Sequence, residues 1–332
     1  MSNPIDYQSP THQINDVLFD VSLQEVYCNT QRANSIFKQP VTTPRYKAVI
    51  NKQNGQIVSV VGNSYRLIPN KDALAMGMEL FRGLYPYVKV DDLIPYKVVA
   101  PASKASVHID LIHRDVNFKV WEQEYWLPFL RVTNSYNRTY ALAFEIGFVR
   151  KLCSNGMLFN KKSTKIKYVH STTKGLNLQS EVSKIGEVSQ QFINQCKRLH
   201  EFVIPREMMF ALVCHMLRLN LKSSESKTKF MNLESLFDLT NTLTTKYSIG
   251  SQVNAYTALN VATDIVSHQH EYKNLNGYYL NVRSFYARPA DWMEEFATQI
   301  QNRDFTLDAY LEPTVKALNE LKNGIGVQWR MN

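Results

Sequence analysis

The chain has 332 residues, of which 44% are apolar, 11% aromatic and 20% charged. This composition excludes an intrinsically disordered chain, and 12 Gly with 12 Pro exclude collagen-like or other low-complexity material. The 38 Lys and Arg residues exceed the 29 Asp and Glu residues, and the resulting net charge of +9 indicates an anionic partner without naming one.

Neither the N-terminus nor the cysteines indicate export. The N-terminus has no basic region followed by an apolar stretch. The most apolar run, 208–219, contains His215 and Arg218 and is too short to span a bilayer. The four cysteines are widely spaced and form no Cys-x-x-Cys pair, which is typical of free thiols in a reducing compartment. We therefore expect a cytoplasmic protein without a membrane partner.

The N-terminal part of the chain predicts an arm followed by a hairpin. Residues 1–44 carry few periodic signals and indicate an arm that packs onto the body of the protein. Residues 46–51 and 56–62 are typical of strands. They flank Asn54-Gly55, which supplies the positive φ that a hairpin turn requires. The sequence therefore predicts two antiparallel strands at this position.

One helix and a series of β-rich runs follow the hairpin. Pro69-Asn70 opens a helix over 71–84, because apolar residues recur there near one face. The later runs are rich in β-branched and aromatic residues and are bounded by turn residues, which favours an antiparallel sheet over alternating strands and helices. These runs are 95–100, 105–113, 118–120, 125–134 and 140–150.

After Gly175 the apolar residues recur every three or four positions, which indicates helices. We expect an α+β protein with an N-terminal antiparallel β-sheet and one packed helix, followed by a C-terminal helical region. The expected organisation is the arm over 1–44, a β-rich domain with basic segments over 45–175, and a helical region packed on it over 176–332. The predicted helices cover 182–202, 205–221, 233–246, 251–270, 291–300 and 313–322.

The positive charge lies in two stretches that contain no Asp or Glu. The first stretch, 26–71, carries seven Lys and Arg residues, and the second, 146–180, carries another seven, so the rest of the chain is at −5. Aromatic residues are interleaved with these cations. Nucleic-acid grooves combine the same two features, because Lys and Arg follow the phosphates while bases stack on rings at about 1–3 kcal/mol each. Two solvated basic faces that maintain solubility are the alternative interpretation.

The most enzyme-like cluster consists of His108, Asp110, His113 and Asp115. Strand alternation places the first two on one face and the last two on the other, so the four do not converge on a metal without a bend. The sequence also lacks the common phosphate-loop, dinucleotide, lipase-type and zinc-protease motifs. We therefore expect no cofactor, no metal and no catalysis by the chain itself. A metal-dependent nuclease that uses the His108 and Asp110 region is an alternative.

Three segments of the chain resemble one known family. They are VVGNSYRLIPN at 60–70, FLRVTNSYNRTYALAFEIGFVRKLCSNGM at 129–157 and NAYTALNVATDIVSH at 254–268. The segments are similar to the phage- and plasmid-type proteins of domain-of-unknown-function family 932, over about 45–270 of this chain. The positions that carry the resemblance are Gly62, Tyr65, Asn70, Thr133-Asn134-Ser135, Arg150, Cys153, Asn155-Gly156, Asn260 and Thr263.

The resemblance implies a gene carried by phages or plasmids, and hence the host-cell cytoplasm, but it implies no established activity. The residues themselves support two further predictions. The turn at 134–137 suits exposed backbone amides. Asn155-Gly156, beside Arg150 and Lys151, predicts an anion cradle, which is a turn whose backbone amides bind an anion. The alternative is that these Asn residues only form turns while Arg150 pairs with Glu145.

We expect a nucleic-acid-binding protein that acts in phage replication, recombination or counter-defence and holds the phosphate backbone electrostatically. The sequence does not distinguish between single-stranded and duplex nucleic acid as the partner. Assembly into a homo-oligomer is left open as an alternative to a monomer, because single-strand annealing proteins of similar make-up form rings. The predicted contact residues are Arg45, Lys47, Lys52, Arg66, Asn134, Arg150, Lys151, Asn155, Lys161, Lys162, Lys165 and Lys167.

A protein–protein interaction factor is the alternative from a different class. It is either an inhibitor that docks on an acidic host protein or a virion component, with the basic stretches as its interface. A single stoichiometric protein partner that is retained after nuclease treatment discriminates this factor from a nucleic-acid-binding protein.

Overall fold

The structure is a computed structural model that describes residues 10–30, 39–151, 155–159, 165–168, 188–219, 221, 233–248, 252–268 and 282–325. The strands within these residues are β1 (Val21–Thr30), β2 (Gln39–Asn51), β3 (Ile57–Gly62), β4 (Ile94–Val99), β5 (Ser106–Ile112), β6 (Phe118–Trp121), β7 (Glu124–Ser135), β8 (Leu142–Arg150), β9 (Gly156–Leu158) and β10 (Lys165–Tyr168). The helices are α1 (Pro10–Val17), α2 (Asn70–Leu84), α3 (Val188–Glu201), α4 (Met209–Met216), α5 (Leu233–Tyr247), α6 (Ala255–Ser267), α7 (Val282–Gln299) and α8 (Leu307–Ile325).

Strands dominate the first half of the described chain, and only helices and short turns follow from Val188 onward. The predicted α+β class, with antiparallel sheets first and a helical region last, is therefore confirmed. None of the described helices has both the length and the apolar composition that crossing a bilayer requires.

The chain divides into two compact units, each assembled from three segments. Unit 1 comprises Met1–Val116, Pro128–Ile146 and Lys161–Gly186, and unit 2 comprises Asn117–Leu127, Gly147–Asn160 and Glu187–Asn332. Strands β7 and β8 each contribute residues to both units.

Unit 1 contains a three-stranded antiparallel sheet with the order β1-β2-β3. The stretch 1–44 supplies α1, β1 and the first residues of β2 to this unit. One face of the sheet covers a hydrophobic core that includes Val21, Val49 and Val61 together with Tyr136. Burial of such apolar side chains stabilises a sheet by roughly 1.5–3 kcal/mol for each large residue.

Strands β2 and β3 form the hairpin that the sequence predicts. Its turn is closed by hydrogen bonds from Gly55 N to Asn51 O (2.8 Å) and from Asn51 N to Gln56 O (2.9 Å). Gly55 has φ of 72°, a left-handed conformation that glycine adopts without a steric cost. The hairpin and the role of its glycine are therefore confirmed.

A second sheet in unit 1 has the order β10-β8-β7-β5-β4, and its β4–β5, β5–β7 and β8–β10 pairs are antiparallel. In unit 2, β6 pairs with the start of β7 and β9 pairs with the end of β8. Every residue of β7 from Trp126 to Ser135 is buried, so side chains on both faces of this strand are covered. Its apolar residues therefore need not alternate with polar ones.

Helix α2, which the sequence predicts over 71–84, packs on this sheet of unit 1 through a glycine. A Cβ atom at Gly77 would overlap the Cγ2 atom of Val132 and would lie 3.5 Å from the Cδ1 atom of Leu111. The absence of a side chain at Gly77 therefore allows the helix backbone to approach the strands closely.

We expect Gly77→Ala to lower the free energy of unfolding by about 1–3 kcal/mol, the usual cost of an added methyl group in a packed core. The matched control is Gly83→Ala, at an exposed position of the same helix, which should raise stability by about 0.5–1 kcal/mol. Urea denaturation of both variants measures the two changes. Equal effects of the two substitutions would contradict the close contact of Gly77.

The helices of unit 2 pack around α6. All residues of this helix are buried, and α3, α4, α5 and α7 contact it. Asn254 caps its N-terminus by accepting a hydrogen bond from Thr257 N (2.9 Å), which satisfies one of the free amides of the first turn.

Several helices differ in their bounds from the sequence-based expectation. Helices α7 and α8 begin at Val282 and Leu307 and contain Pro289 and Pro313, whereas proline led us to place their starts later. Proline removes one hydrogen bond from a helix, and buried packing on either side maintains the helix here. The predicted helix over 205–221 is a short 3₁₀ turn followed by α4. The first part of the predicted helix over 182–202 lies outside the described residues.

Candidate functional site

The residues of unit 1 that carry the family resemblance form a buried polar network. Asn134 is fully buried, and its Nδ2 atom donates to the Oδ1 atom of Asn70 (2.8 Å) and to the carbonyl of Ile68 (2.9 Å). Tyr65 donates to the carbonyl of Ser135 at 2.8 Å. Asn134 therefore joins the two family segments inside the unit, and its side chain is not on the surface where we expected a turn.

The His108 and Asp110 region is also an internal network. Asp110 accepts two hydrogen bonds from Arg131 at 2.6 and 2.7 Å, and both side chains are almost completely buried. His108 lies 2.8 Å from the hydroxyl of Thr133. Burial lowers the pKa of the nearby Lys97 to about 8, against the raising effect of Asp110. Within the described residues no group of three or more His, Cys, Asp or Glu side chains is arranged to hold a metal.

The outer face of the three-stranded sheet is the most unusual exposed surface in the described part of unit 1. Because Tyr46 pairs with Gly62, Ala48 with Val60, and Ile50 with Ile57, strand alternation places these residues on the face opposite to the core. Ser22 and Gln24 of β1 pair with Ile50 and Ala48 and lie on the same side. We call this set of eight residues the sheet face, and it carries no charged side chain.

Large apolar side chains of the sheet face are open to solvent. Tyr46 is 54% exposed, Val60 is 52% exposed and Ile57 is 65% exposed. Single exposed apolar residues are ordinary, but a contiguous apolar patch with a polar rim is typical of a binding surface. An exposed tyrosine ring on a sheet is in addition the arrangement on which a nucleobase stacks.

Arg138 places a positive charge on the sheet face. Its Nη1 atom lies 3.9 Å from the position that a Cβ atom would take at Gly62, directly across the pair from Tyr46. Arg138 itself has φ of 63°, a left-handed conformation that is uncommon for a residue with a side chain. Among the described residues no carboxylate forms an ion pair with Arg138. The sheet face therefore combines a ring and a guanidinium group at one end.

The predicted contact residues of the first basic stretch do not all lie on this face. Arg45, Lys52 and Arg66 are exposed, and Lys47 is half-buried. Alternation along β2 places Arg45 and Lys47 on the core side, where Lys47 pairs with the core residue Val61, while Lys52 follows Ile50 at the hairpin turn. The structure therefore brings Arg138 and Lys52 to the two ends of the sheet face.

The predicted contact residues of the second basic stretch are placed differently. Arg150, Lys151 and Asn155 belong to unit 2, whereas Lys165 and Lys167 lie in β10 of unit 1, where Lys167 is exposed. Lys161 and Lys162 lie outside the described residues.

Arg150 pairs with Glu124, not with Glu145. Its Nε and Nη2 atoms donate to the carboxylate of Glu124 at 2.5 and 2.6 Å, and Tyr256 donates to the same carboxylate at 2.6 Å. Lys151 is exposed, with its ammonium group 5.8 Å from the ring of Tyr125. Charge-assisted pairs of this kind hold Arg150 in a fixed, half-buried position.

The anion cradle predicted at Asn155-Gly156 does not form from the amides that the structure describes there. Gly156 N donates to Ser267 Oγ, Arg150 N to the carbonyl of Asn155, and Lys151 N to the carbonyl of Tyr125, at 2.7–2.9 Å. The side chain of Asn155 is buried and donates to Tyr247 at 2.9 Å. These groups are used for internal hydrogen bonds and are not available to an anion.

Sequence reasoning missed Arg138 as a functional residue. It is 76 positions from Gly62 along the chain, and only the folded structure brings the two together. The available signal was the polar turn Asn137-Arg138-Thr139 after β7, because a turn that contains a long cation presents it to solvent.

Comparison with known proteins finds one family and no individual relative. The family described as Domain of unknown function (DUF932) matches residues 57–297 of the chain. Comparison with curated proteins finds no match, and comparison with solved structures also finds none.

Proposed function

The chain belongs to the DUF932 family, and from this premise we propose that it binds nucleic acid with the sheet face of unit 1. The description of the family states no activity, so the proposal rests on surface chemistry. The residues that carry the family resemblance, such as Asn70, Asn134 and Asn155, form internal hydrogen bonds and maintain the fold. Exposed groups are therefore the ones available to bind a partner.

One observation carries the proposal: the exposed Tyr46 pairs across the strands with Gly62, and the Nη1 atom of Arg138 lies 3.9 Å from the Cβ position of that glycine. A base stacks on an exposed ring irrespective of its identity, and a nearby cation attracts the phosphate that links it to the next base. Lys52 adds positive charge at the other end of the sheet face. The resulting binding is tolerant of sequence and favours unpaired bases, whose faces are free to stack.

Binding of this kind suits a role in replication, recombination or counter-defence of a phage or plasmid in the host cytoplasm. It requires no catalytic group, because stacking and phosphate attraction supply the affinity.

The test of the proposal is fluorescence anisotropy with a labelled single-stranded oligonucleotide over a range of salt concentrations. The variant Lys52→Ser/Arg138→Asn should bind more weakly, and the slope of log affinity against log salt should fall by about 1.4, since each phosphate contact contributes about 0.7. Asparagine is chosen at position 138 because it tolerates the left-handed backbone there.

The matched control is Lys89→Ser/Arg114→Ser, which removes two exposed cations of unit 1 that are not on the three-stranded sheet. Its slope should stay close to that of the unchanged protein. The proposal is overturned if no oligonucleotide binds at 50 mM salt, or if the two double variants lose the same amount of slope.

A second candidate function is a protein–protein interaction factor, which the exposed aliphatic side chains Ile57 and Val60 favour. Such side chains add little to phosphate binding, but they are typical of the apolar centre of a protein interface. In this case a single stoichiometric protein partner should be retained after nuclease treatment and should be lost in the variant Val60→Asp. Oligonucleotide affinity should then be negligible.

A further inference from the structure

Unit 2 contains a cavity of about 350 Å³ between α4, α7 and α8, a size at the lower end of small-molecule sites. Its walls include the buried residues Trp292 and Thr314 and the half-buried residues His215 and Tyr310. Two exposed, charged residues, Arg218 and Glu295, lie at its rim. The cavity therefore joins an aromatic interior to a rim that carries one positive and one negative charge.

Two buried polar atoms of the cavity wall have no hydrogen-bond partner among the described residues. They are the Nε1 atom of Trp292, whose side chain is 3% exposed, and the hydroxyl of Tyr310. Burial and the Glu295 carboxylate raise the pKa of Tyr310, against a lowering effect of the neighbouring Trp292 side chain. A buried N–H or O–H group without a partner is destabilising, so the pair suits a ligand that accepts hydrogen bonds.

The other polar groups of the wall are internally satisfied. The Nδ1 atom of His215 lies 3.0 Å from the hydroxyl of Thr314, and its ring lies 4.6 Å from that of Tyr310 at a tilt of 56°. Burial lowers the pKa of His215, against the raising effect of Glu295, so this ring is neutral near pH 7. The interior therefore presents aromatic surfaces and neutral donors, and among the described residues of the wall the one Lys or Arg is Arg218.

Arg218 is held at the rim by an uncommon backbone conformation. Its φ is 47°, in the left-handed region, at the position after a helix where glycine is usual. A residue other than glycine keeps a left-handed backbone conformation only when other interactions of that residue outweigh the free-energy cost of the conformation. Its Nη1 atom lies 3.9 Å from the carboxylate of Asp291, beyond the range of a direct hydrogen bond, so the guanidinium group can still bind an anion.

We propose that this cavity binds a mononucleotide, with the base in the aromatic interior and the phosphate at Arg218. A base presents both acceptors and donors along its edge. The acceptors suit the free N–H of Trp292 and the hydroxyl of Tyr310, and the donors suit the carboxylate of Glu295. The phosphate of the same molecule suits the guanidinium group. This site is in unit 2 and is independent of the sheet face.

Isothermal titration calorimetry of the full chain with adenosine, guanosine, cytidine and uridine 5′-monophosphates tests the proposal. At least one should bind with a stoichiometry near one. Tyr310→Phe should weaken it by about 3- to 10-fold and Arg218→Asn by about 10-fold or more, as expected for a neutral and a charge-assisted hydrogen bond. Thermal melting of both variants should be unchanged or improved, because each removes an unfavourable feature of the free protein.

The matched controls are Tyr87→Phe, at an exposed tyrosine away from the cavity, and Tyr46→Ala on the sheet face, and both should retain the affinity. The proposal is overturned if none of the four mononucleotides binds at millimolar concentration, or if binding is unchanged in both Tyr310→Phe and Arg218→Asn. Inorganic phosphate that binds as tightly as the mononucleotides overturns the placement of a base in the interior.

Discussion

Replacing Tyr46 with alanine should weaken binding of a single-stranded oligonucleotide by about 5- to 100-fold. Loss of one base–ring stack costs about 1–3 kcal/mol. Tyr46 is 54% exposed and lies on the face of the sheet opposite to the core, so its removal should leave the fold and its melting temperature nearly unchanged. The salt dependence should also stay the same, because a neutral ring releases no counterions.

Tyr87→Ala is the matched control, since Tyr87 is 73% exposed but lies outside the three-stranded sheet. Fluorescence anisotropy should show oligonucleotide affinity close to that of the unchanged protein for this variant. An equal loss in both variants indicates a non-specific effect of removing tyrosine. No loss with Tyr46→Ala argues against stacking and leaves only the contribution of the cations.

Asp110→Asn should lower the free energy of unfolding by about 3–5 kcal/mol, the usual cost of removing one partner of a buried ion pair. The side chains of Asp110 and Arg131 are 1% and 0% exposed, so water cannot replace the lost carboxylate charge. Lys97, whose pKa burial already lowers to about 8, loses its attraction to Asp110 at the same time. Chemical denaturation near pH 7 measures the loss.

Two comparisons make this result specific. Asp20→Asn removes an ion pair with Lys71 in which both side chains are more than half exposed, and it should lower the free energy of unfolding far less than Asp110→Asn does, because water screens the pair. The double variant Asp110→Leu/Arg131→Met replaces both buried charges with apolar groups and should recover much of the stability lost in Asp110→Asn. Equal costs for Asp110→Asn and Asp20→Asn would show that water reaches the buried pair.

Local signals were sufficient to predict most elements of the first half of the chain. The turn residues Asn54-Gly55 predict the hairpin because only a few residue types adopt a positive φ cheaply, and Pro69-Asn70 predicts the start of α2 for an equally local reason. The starts of α7 and α8 were not predictable in this way. A proline inside a helix is tolerated only when packing maintains the helix, and packing depends on residues that are distant along the chain.

The sequence indicated which kinds of residue form the candidate site, but not all of the individual residues that belong to it. Charge and aromatic content pointed to the segment that contains β2, where the structure leaves Arg45 and Tyr46 exposed. Asn134 and Asn155 were expected at the surface because asparagine forms turns, yet an amide also satisfies buried backbone groups, and the sequence alone does not distinguish the two uses. Arg138 joins the sheet face through tertiary structure, which leaves no periodic pattern in the sequence.

The two strands that supply residues to both units have a consequence for dissection of the protein into fragments. Because the chain passes between the units within β7 and again within β8, no single cut yields a fragment that contains one unit alone. A truncation before Val188, for example, would keep all the described strands but leave 117–127 and 147–160 without the helices of their own unit. Deletion mapping would therefore report loss of folding where loss of function was sought, and the two proposed sites are separable only by point substitutions in the intact chain.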